Sequence, residues 1–556
     1  MQNIKRITVL MCAMLCGWQG IAAAAPDTNV PDRGPAGYNN AAVQLNRTRE
    51  YLERQRVARQ IEEDRARQRA KVEGSAGGEQ ERPAADVKFQ LNGVTFDPSG
   101  VLSEEELQKI TGEYTGREIA VKDLYNLVEK VNALYKDKGY LTCRAFLQPQ
   151  TIKQGVVHIT LIEGRTGEVR VQGNKSTKER YITRRLHLEK DKIANINALN
   201  KDLLLFNAAN DAQLRIMMQA GAEPGTTDYV IAVFEPQQRS ISVYGDNAGS
   251  STSGEWRGGL FYNDRSLSGR RDSLSLSSIW SEGTKSFGSM YTTPVGRSGT
   301  KLGFNYSANS VHVVDGALED MQVRGHASAY GVSLIQPLVV TDSLRSEASL
   351  EYSRQNSRTD FLGVPWIDDR INGYTASFSL TNYGSSSIIY QRHGYRAGDF
   401  DNLTGESRSF GKYIFNGFYQ KAYKHGQRIL LRADAQWSST AYLVSGEQFY
   451  IGGMNSVRGY KESLLGGDSG FTASVEYDVP VDKRRLTSAF VFFDYGSVYG
   501  DSAFEDHVLA GTGFGVKAQV TPKIYVSATL GVPLRRELNG MEVNKTRVHC
   551  MLNGQF

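Results

Sequence analysis

From about Ser240 onward, apolar and polar positions alternate. In RILLRADAQW, Ile429, Leu431, Ala433, Ala435 and Trp437 share one face, and Leu430, Arg432, Asp434 and Gln436 share the other. YTASFSLT sets Tyr374, Ala376, Phe378 and Leu380 against Thr375, Ser377, Ser379 and Thr381. LRSEASLEY sets Leu344, Ala348, Leu350 and Tyr352 against Arg345, Glu347, Ser349 and Glu351. A period of two with one dry and one wet face predicts β-strands. The segments run roughly 9–12 residues, longer than a soluble sandwich needs and enough to cross a bilayer at a tilt. About sixteen begin near residues 240, 256, 272, 286, 300, 326, 343, 371, 386, 410, 427, 469, 486, 509, 522 and 546. An even count suits a closed barrel, which leaves no unpaired edge in lipid. The expectation is a transmembrane β-barrel of 16 antiparallel strands over residues 237–556. Its last segment, RVHCMLNGQF, sets Val548, Cys550, Leu552, Gly554 and Phe556 against Arg547, His549, Met551, Asn553 and Gln555.

Before residue 237 the period changes. VKFQLNGVTF reads as a strand with a turn. SEEELQKITGEY opens with a capping box, Ser103 at N-cap and Glu106 three positions on. VKDLYNLVEKVNALYKDKGY puts Leu124, Leu127, Val128, Val131, Leu134 and Tyr135 on one helical face, and Gly139 stops it. RAFLQPQ and VVHITLIEG add two strands. The order β-α-α-β-β then recurs in EVRVQGN, TKERYITRRL, NINALNKDLLLFNAAN, QLRIMMQAG and DYVIAVFEP. Two such modules, over 87–164 and 165–236, form an architectural repeat. Each helix pair needs a sheet on which to bury its apolar face. His158 and His187 have no paired nucleophile in the sequence, and open sheet edges point instead to strand addition by an extended partner.

Residues 39–73 favour helix, with nine basic and six acidic side chains from Ala41 to Glu73 and few large apolar groups. That pattern fits a solvated helix, or a helix inside a water-filled pore with charged walls. GSAGGEQERPAA, within 74–86, is a flexible linker. The first residues, 1–25, read as a secretory signal: Lys5 and Arg6, an apolar run, then alanines, with cleavage after Ala24 or Ala25. Only Cys143 and Cys550 remain beyond it, in different modules, so no disulfide framework is expected. The net charge of +5 is spread along the chain and gives no case for nucleic acid. After the leader no run of 18 apolar residues occurs, which argues against membrane-spanning helices.

One irregular stretch interrupts the strands. YIGGMNSVRGYKE carries Arg458 between Val457 and the Gly459–Tyr460 pair, in a loop of about 438–468. In AFVFFDYG, Phe490, Phe492, Asp494 and Gly496 share one face, and Ala489, Val491, Phe493 and Tyr495 the other. Both faces are apolar, which suits a wall covered on the inside by a loop. GTGFG (Gly511 to Gly515) reads as a glycine-rich strand rather than a phosphate loop.

Several stretches resemble TpsB transporters of two-partner secretion, members of the Omp85 superfamily that include haemolysin, filamentous-haemagglutinin and contact-dependent-inhibition transporters. LYKDKGYLTCRAFLQPQTIKQGVVHITLIEG is similar to the first POTRA domain of that family, and SVYGDNAGSSTSGEWRGGL to its first barrel hairpin. EQFYIGGMNSVRGY resembles its lid-loop motif, and FVFFDYGSVYG the strand that partners the lid. The resemblance covers nearly the whole mature chain. It implies a barrel preceded by two periplasmic POTRA domains and an N-terminal pore helix, in the outer membrane of a Gram-negative bacterium. It implies export of a large exoprotein rather than enzymatic chemistry, with no catalytic residue, metal or cofactor. The lid motif would be Val457, Arg458, Gly459 and Tyr460, with Arg458 paired to Asp494 beside Phe492 on the wall. Phe556 would be the assembly signal. The implied partners are the exoprotein through its amino-terminal secretion domain, outer-membrane lipid, the barrel assembly machinery and periplasmic chaperones. The rival readings are an Omp85-type insertase of β-barrel proteins, against which the two modules and the helix argue, and a porin or barrel enzyme, which would not need the modules.

Overall fold

The computed structural model describes residues 41–66, 72–73, 87–316, 318–341, 343–500, 507–538, 541–543 and 545–556. The signal expected over 1–25 and the linker expected over 74–86 lie outside the described residues. So do residues 39–40 and 67–71 of the expected helix. No helix among the described residues is long and apolar enough to cross a membrane.

Helix α1 spans Ala41–Ala66. The first module follows as β1 (Lys88–Leu91), β2 (Gly93–Phe96), α2 (Glu104–Thr111), β3 (Arg117–Ala120), α3 (Val121–Asp137), β4 (Cys143–Phe146) and β5 (Val156–Glu163). The expected β-α-α-β-β order gains a strand here: β3 pairs antiparallel with β1. The capping box forms as expected, with Ser103 Oγ accepting from the Glu106 amide and Glu106 accepting from the Ser103 amide. Leu124, Leu127, Val128, Val131 and Tyr135 of α3 are buried against Leu91, Ile119, Val157 and Ile159. Each such side chain contributes about 1.5–3 kcal/mol, so this face alone holds the helix on its sheet.

The second module is β6 (Arg165–Gln172), α4 (Glu179–Thr183), α5 (Ile196–Ala209), β7 (Gln213–Ala220) and β8 (Thr226–Phe234), with sheet order β6-β8-β7. The modules are joined backbone to backbone: the amide of Ile196 donates to the Gly139 carbonyl at 2.8 Å. The outer edge of β7 is not bare. Glu73 bridges it, donating to Ile216 O and accepting from the Met218 amide, both at 2.9 Å. The helix expected to run to Glu73 is therefore corrected: Val72 and Glu73 are extended. Val72 packs on the core of the module, and the β7 edge satisfies the Glu73 backbone.

Sixteen strands close the barrel: β9 (Arg239–Asp246), β10 (Arg257–Asp264), β11 (Ser273–Trp280), β12 (Thr284–Pro294), β13 (Lys301–His312), β14 (Arg324–Val340), β15 (Leu344–Phe361), β16 (Val364–Tyr383), β17 (Ser387–Asp401), β18 (Ser407–Ala422), β19 (Arg428–Ser438), β22 (Ser469–Pro480), β23 (Thr487–Tyr499), β24 (Val508–Thr521), β25 (Ile524–Pro533) and β28 (Arg547–Gln555). Short ribbons β20 (Phe449–Ile451) with β21 (Leu465–Gly467), and β26 (Glu537–Leu538) with β27 (Met541–Glu542), lie in loops. The seam pairs β28 with β9 from Met551↔Asp246 to Gln555↔Ser242, and Phe556 and Ile241 exchange two backbone hydrogen bonds.

The alternation sorts lipid from lumen. Leu350, Tyr374, Val491 and Leu552 face outward and exposed, while Gln355, Thr375, Phe492 and His549 face inward and buried. The inward residues are buried partly because α1 fills the lumen. Ala41 and Leu45 pack on Val311, Ala327 and Ala329, and Val57 and Ile61 pack on Ile388 and Tyr390. The second module docks under the barrel: Arg271 of the β10–β11 turn pairs with Asp211, Ser266 Oγ donates to Ser176 O at 2.9 Å, and Arg345 donates to Ala208 O at 2.8 Å.

Candidate functional site: the lid loop and its seat

The connection from Ser439 to Asp468 leaves the extracellular end of the barrel and folds back into it. Its root is tied to the wall by two carboxylates. Glu447 takes Arg396 at 2.8 Å and Lys412 at 2.7 Å, and Asp468 accepts the amides of Tyr442 and Leu443 at 2.7 and 2.8 Å. Gln436 donates to the carbonyls of both Glu447 and Asp468.

At the tip, Arg458 meets Asp494. The Asp494 carboxylate accepts the Arg458 backbone N–H at 3.0 Å, Nε at 2.7 Å and Nη2 at 2.8 Å. Nη1 donates to Glu476 at 2.7 Å and Nη2 also to Ser474 Oγ at 3.2 Å. Ser474 in turn donates to Asp494 at 2.7 Å. The guanidinium lies 3.5 Å from the centroid of the Phe492 ring. A planar cation with fixed donors satisfies both needs at once, two-pronged carboxylate pairing and stacking, and lysine cannot. Glu476 is shared with Lys517, which also reaches Asp478 at 3.0 Å, and Arg428 pairs with Asp478 at 2.7 Å. The cluster thus sets three cations against three carboxylates. Asp494 is fully buried, so the pairing, not solvent, carries its charge.

The neighbours of Arg458 seat the tip. Val457 enters an apolar cluster with Ile451, Tyr460, Leu465, Val498 and Leu509. The Tyr460 hydroxyl donates to Ala510 O at 2.8 Å and accepts the Arg535 amide at 3.1 Å. Gly459 has φ +98°, and a Cβ there would lie 2.9 Å from Pro533 N; a Cβ on Gly511 would lie 2.1 Å from Arg458 O. Lid backbone and wall backbone therefore touch directly, which only glycine allows. Phe490 and Phe492 are buried beneath the tip.

Helix α1 meets the lid from the other side. Arg47 pairs with Glu462 at 2.7 Å, Arg54 donates to Asn455 O at 3.0 Å, and Asn46 donates to Gly446 O. Glu462 also accepts the Met454 amide at 2.7 Å. Arg49 and Arg54 reach Glu351 and Asp434 on the wall at 3.5 and 3.3 Å.

The residues expected from the motifs divide. Arg458, Asp494 and Phe492 come together; Val457, Gly459 and Tyr460 surround them; Phe556 sits apart, at the periplasmic end of the seam. Sequence reasoning missed Glu476, Ser474, Lys517, Gly511 and Gly531. The glycine run at 511–515 was their one local signal, since Gly511, Gly513 and Gly515 face Arg458, Phe492 and Phe490.

A family model described as haemolysin secretion/activation protein ShlB/FhaC/HecB matches residues 225–518. The chain belongs to that family. A second model, the ShlB-type POTRA domain, matches residues 89–164. The heme/hemopexin transporter protein HuxB of Haemophilus influenzae is 25% identical over 475 residues, covering 79% of this chain and 82% of HuxB. The outer membrane transporter CdiB of Escherichia coli is 22% identical over 483 residues, covering 80% and 79%. The structure of CdiB from Escherichia coli superposes with a TM-score of 0.63 at 18% identity, over 97% of this chain and all of that one. BamA from Haemophilus ducreyi, lacking POTRA domains 1–3, gives 0.51 at 15% identity, a likeness of fold. As a ShlB/FhaC/HecB member the chain is an outer-membrane transporter, with its POTRA modules in the periplasm, that exports a partner exoprotein by two-partner secretion.

Proposed function

We propose that the transporter rests closed, with two obstructions in series, and that export requires both to move. Val457, Arg458, Gly459 and Tyr460 are the latch of the lid, and Phe492 and Asp494 are its seat. Helix α1 is the second obstruction. The observation that carries this reading is the Arg458–Asp494 pairing, made with Arg458 Nε, Nη2 and backbone N–H in a buried site. Nothing in a passive pore wall calls for so specific a contact.

The cargo is a large secreted protein of the haemolysin, adhesin or contact-dependent-inhibition toxin type, presented by periplasmic chaperones. Its amino-terminal secretion domain adds as a strand to a sheet edge of the periplasmic modules. Addition at β7 needs Val72 and Glu73 to leave, because they occupy that edge. Folding of the cargo outside supplies direction, with no nucleotide, metal or cofactor involved. Phe556, at the end of β28, is the element the barrel assembly machinery engages during insertion, and outer-membrane lipid is the remaining partner. The chain is neither an enzyme nor a nucleic-acid binder. The test removes residues 87–236 and follows the exoprotein encoded beside this gene in culture medium, with heat-modifiable gel migration reporting barrel assembly. Loss of secretion from an assembled barrel supports capture by the modules; secretion at the intact level refutes it.

A further inference from the structure

A cavity of about 200 Å³ lies where the second module meets the barrel, between helices α4 and α5 and the β12–β13 turn. Its wall is apolar: Tyr181, Leu205, Phe206 and Pro294 line it. Its mouth is cationic. Arg185 lies flat on Tyr181, its guanidinium carbon 3.6 Å from the ring centroid. It donates to Tyr181 O at 3.1 Å and to Gly296 O at 2.8 Å. These bonds take two of the five N–H donors a guanidinium carries, so the rest remain aimed but unused. Arg297 lines the same cavity and is exposed, and Arg270 of the adjacent β10–β11 turn is exposed too. The carboxylate on the cavity lining, Asp202, is held by His187 through backbone N–H at 2.7 Å and ring Nδ1 at 2.6 Å. Burial, and then the like charges of Arg297 and Arg270 acting against the Tyr181 hydroxyl, draw Arg185 below its ordinary range. Three guanidinium groups thus converge with no carboxylate of the chain opposed to them.

The position of the cavity narrows the ligand. The β10–β11 and β12–β13 turns are periplasmic, since they contact the second module. The lipid face of β12 runs through Phe287, Ser289, Tyr291 and Thr293, and Val295 continues it past the strand end. Val295 and Leu267, on neighbouring turns, are exposed large apolar residues, as is Leu204 on α5. Apolar side chains and arginines presented together at the rim of a barrel suit the boundary between acyl chains and headgroups. We propose that this cavity binds the phosphodiester headgroup of an anionic phospholipid of the inner leaflet, with Arg185 and Arg297 on the phosphate and the acyl chains leaving along Val295 and Leu267. The lipid would then clamp the module to the barrel at a joint that protein contacts alone leave hollow.

The test uses the full chain in nanodiscs of phosphatidylcholine with or without phosphatidylglycerol, followed by native mass spectrometry after mild detergent exchange. The intact protein is expected to retain a single phosphatidylglycerol. The Arg185→Ala/Arg297→Ala variant is expected to retain it about tenfold less, the effect of losing one charge-assisted contact, and Arg185→Lys/Arg297→Lys to recover part. Arg297→Ala alone, at an exposed position, carries the test should the double variant fail to give a heat-modifiable barrel. Equal retention by intact and alanine variants overturns the proposal. Displacement of the lipid by inorganic phosphate, itself retained, also overturns it in favour of a soluble anion. Reduced exoprotein secretion with unchanged lipid retention would assign the arginines to the secreted polypeptide and overturn it likewise.

Discussion

Arg458→Ala tests the latch most directly, and the structure sets the size of the effect. The substitution removes the hydrogen bonds to Asp494 and Glu476 and the stacking on Phe492. Glu476 keeps Lys517, but Asp494 keeps only the Ser474 hydroxyl while fully buried. Stranding a buried charge in this way costs about 3–5 kcal/mol. The cost falls on the docked lid alone, because a lid released into the lumen exposes Asp494 to water. The docked population should therefore fall by about two to three and a half orders of magnitude relative to the released one. Removing the stranded charge as well, in Arg458→Ala/Asp494→Ala, should return at least about 1.4 kcal/mol, a factor of ten. Open-channel occupancy in planar bilayers reads the lid, and exoprotein in the medium reads export. The single variant should show frequent openings and fail to export, with its barrel assembled; the double variant should open less often. Identical occupancy in the single and double variants, or wild-type export by Arg458→Ala, would refute the latch.

The other predictions concern the packing and charges around it. Gly511→Ala should unseat the lid about as much as Arg458→Ala does, because its Cβ would lie 2.1 Å from Arg458 O; channel recordings compare the two. Glu462→Ala should free α1 and loosen the lid more than Arg47→Ala, by about 1 kcal/mol more, since Glu462 also holds the Met454 amide; protease accessibility of α1 ranks the variants. Cys143, whose thiol burial pushes up to about 12, should resist alkylation at neutral pH until the first module unfolds, as mass spectrometry can follow. Burial opposes ionisation of Glu235, but hydrogen bonds from Ser176 and Thr177 hold its carboxyl down to about 2. That depressed value stabilises the docking loop above the unfolded carboxylate range near about 4.3 and is lost as pH falls toward about 2. Limited proteolysis between modules and barrel should accelerate across that window, and less so in Glu235→Gln.

Much of the barrel was legible because lipid enforces the alternation. Fifteen of the sixteen observed strands begin within three residues of the expected positions; the exception is β16, which starts at Val364 rather than near 371. There the outward positions Asp368 and Arg370 rise into water, where no apolar face is required and the signal fades. Strand β3 was missed for a different cause: REIA does not alternate, and it becomes a strand only through β1. The latch itself could be read from its motif together with the parity of Phe490, Phe492 and Asp494. Glu476 and Lys517 could not. They sit on separate strands among many inward polar residues, and only closure of the barrel brings them to Arg458. Val72 and Glu73 misled because local helix propensity continued through them while a distant sheet edge claimed their backbone.

The hairpin of β15 and β16 has 18 and 20 residues in its two strands. A tilted strand rises about 2.3 Å per residue along the membrane normal, so β16 climbs about 45 Å, against an apolar band of about 25 Å. Roughly 20 Å of wall therefore stands clear of the acyl region on that side. The mouth is a lopsided chimney, tall over these strands and low over β11 and β12, whose strands of 8 and 11 residues barely reach across. A polypeptide leaving it would be turned toward the low side and shielded from the surface sugars on the other.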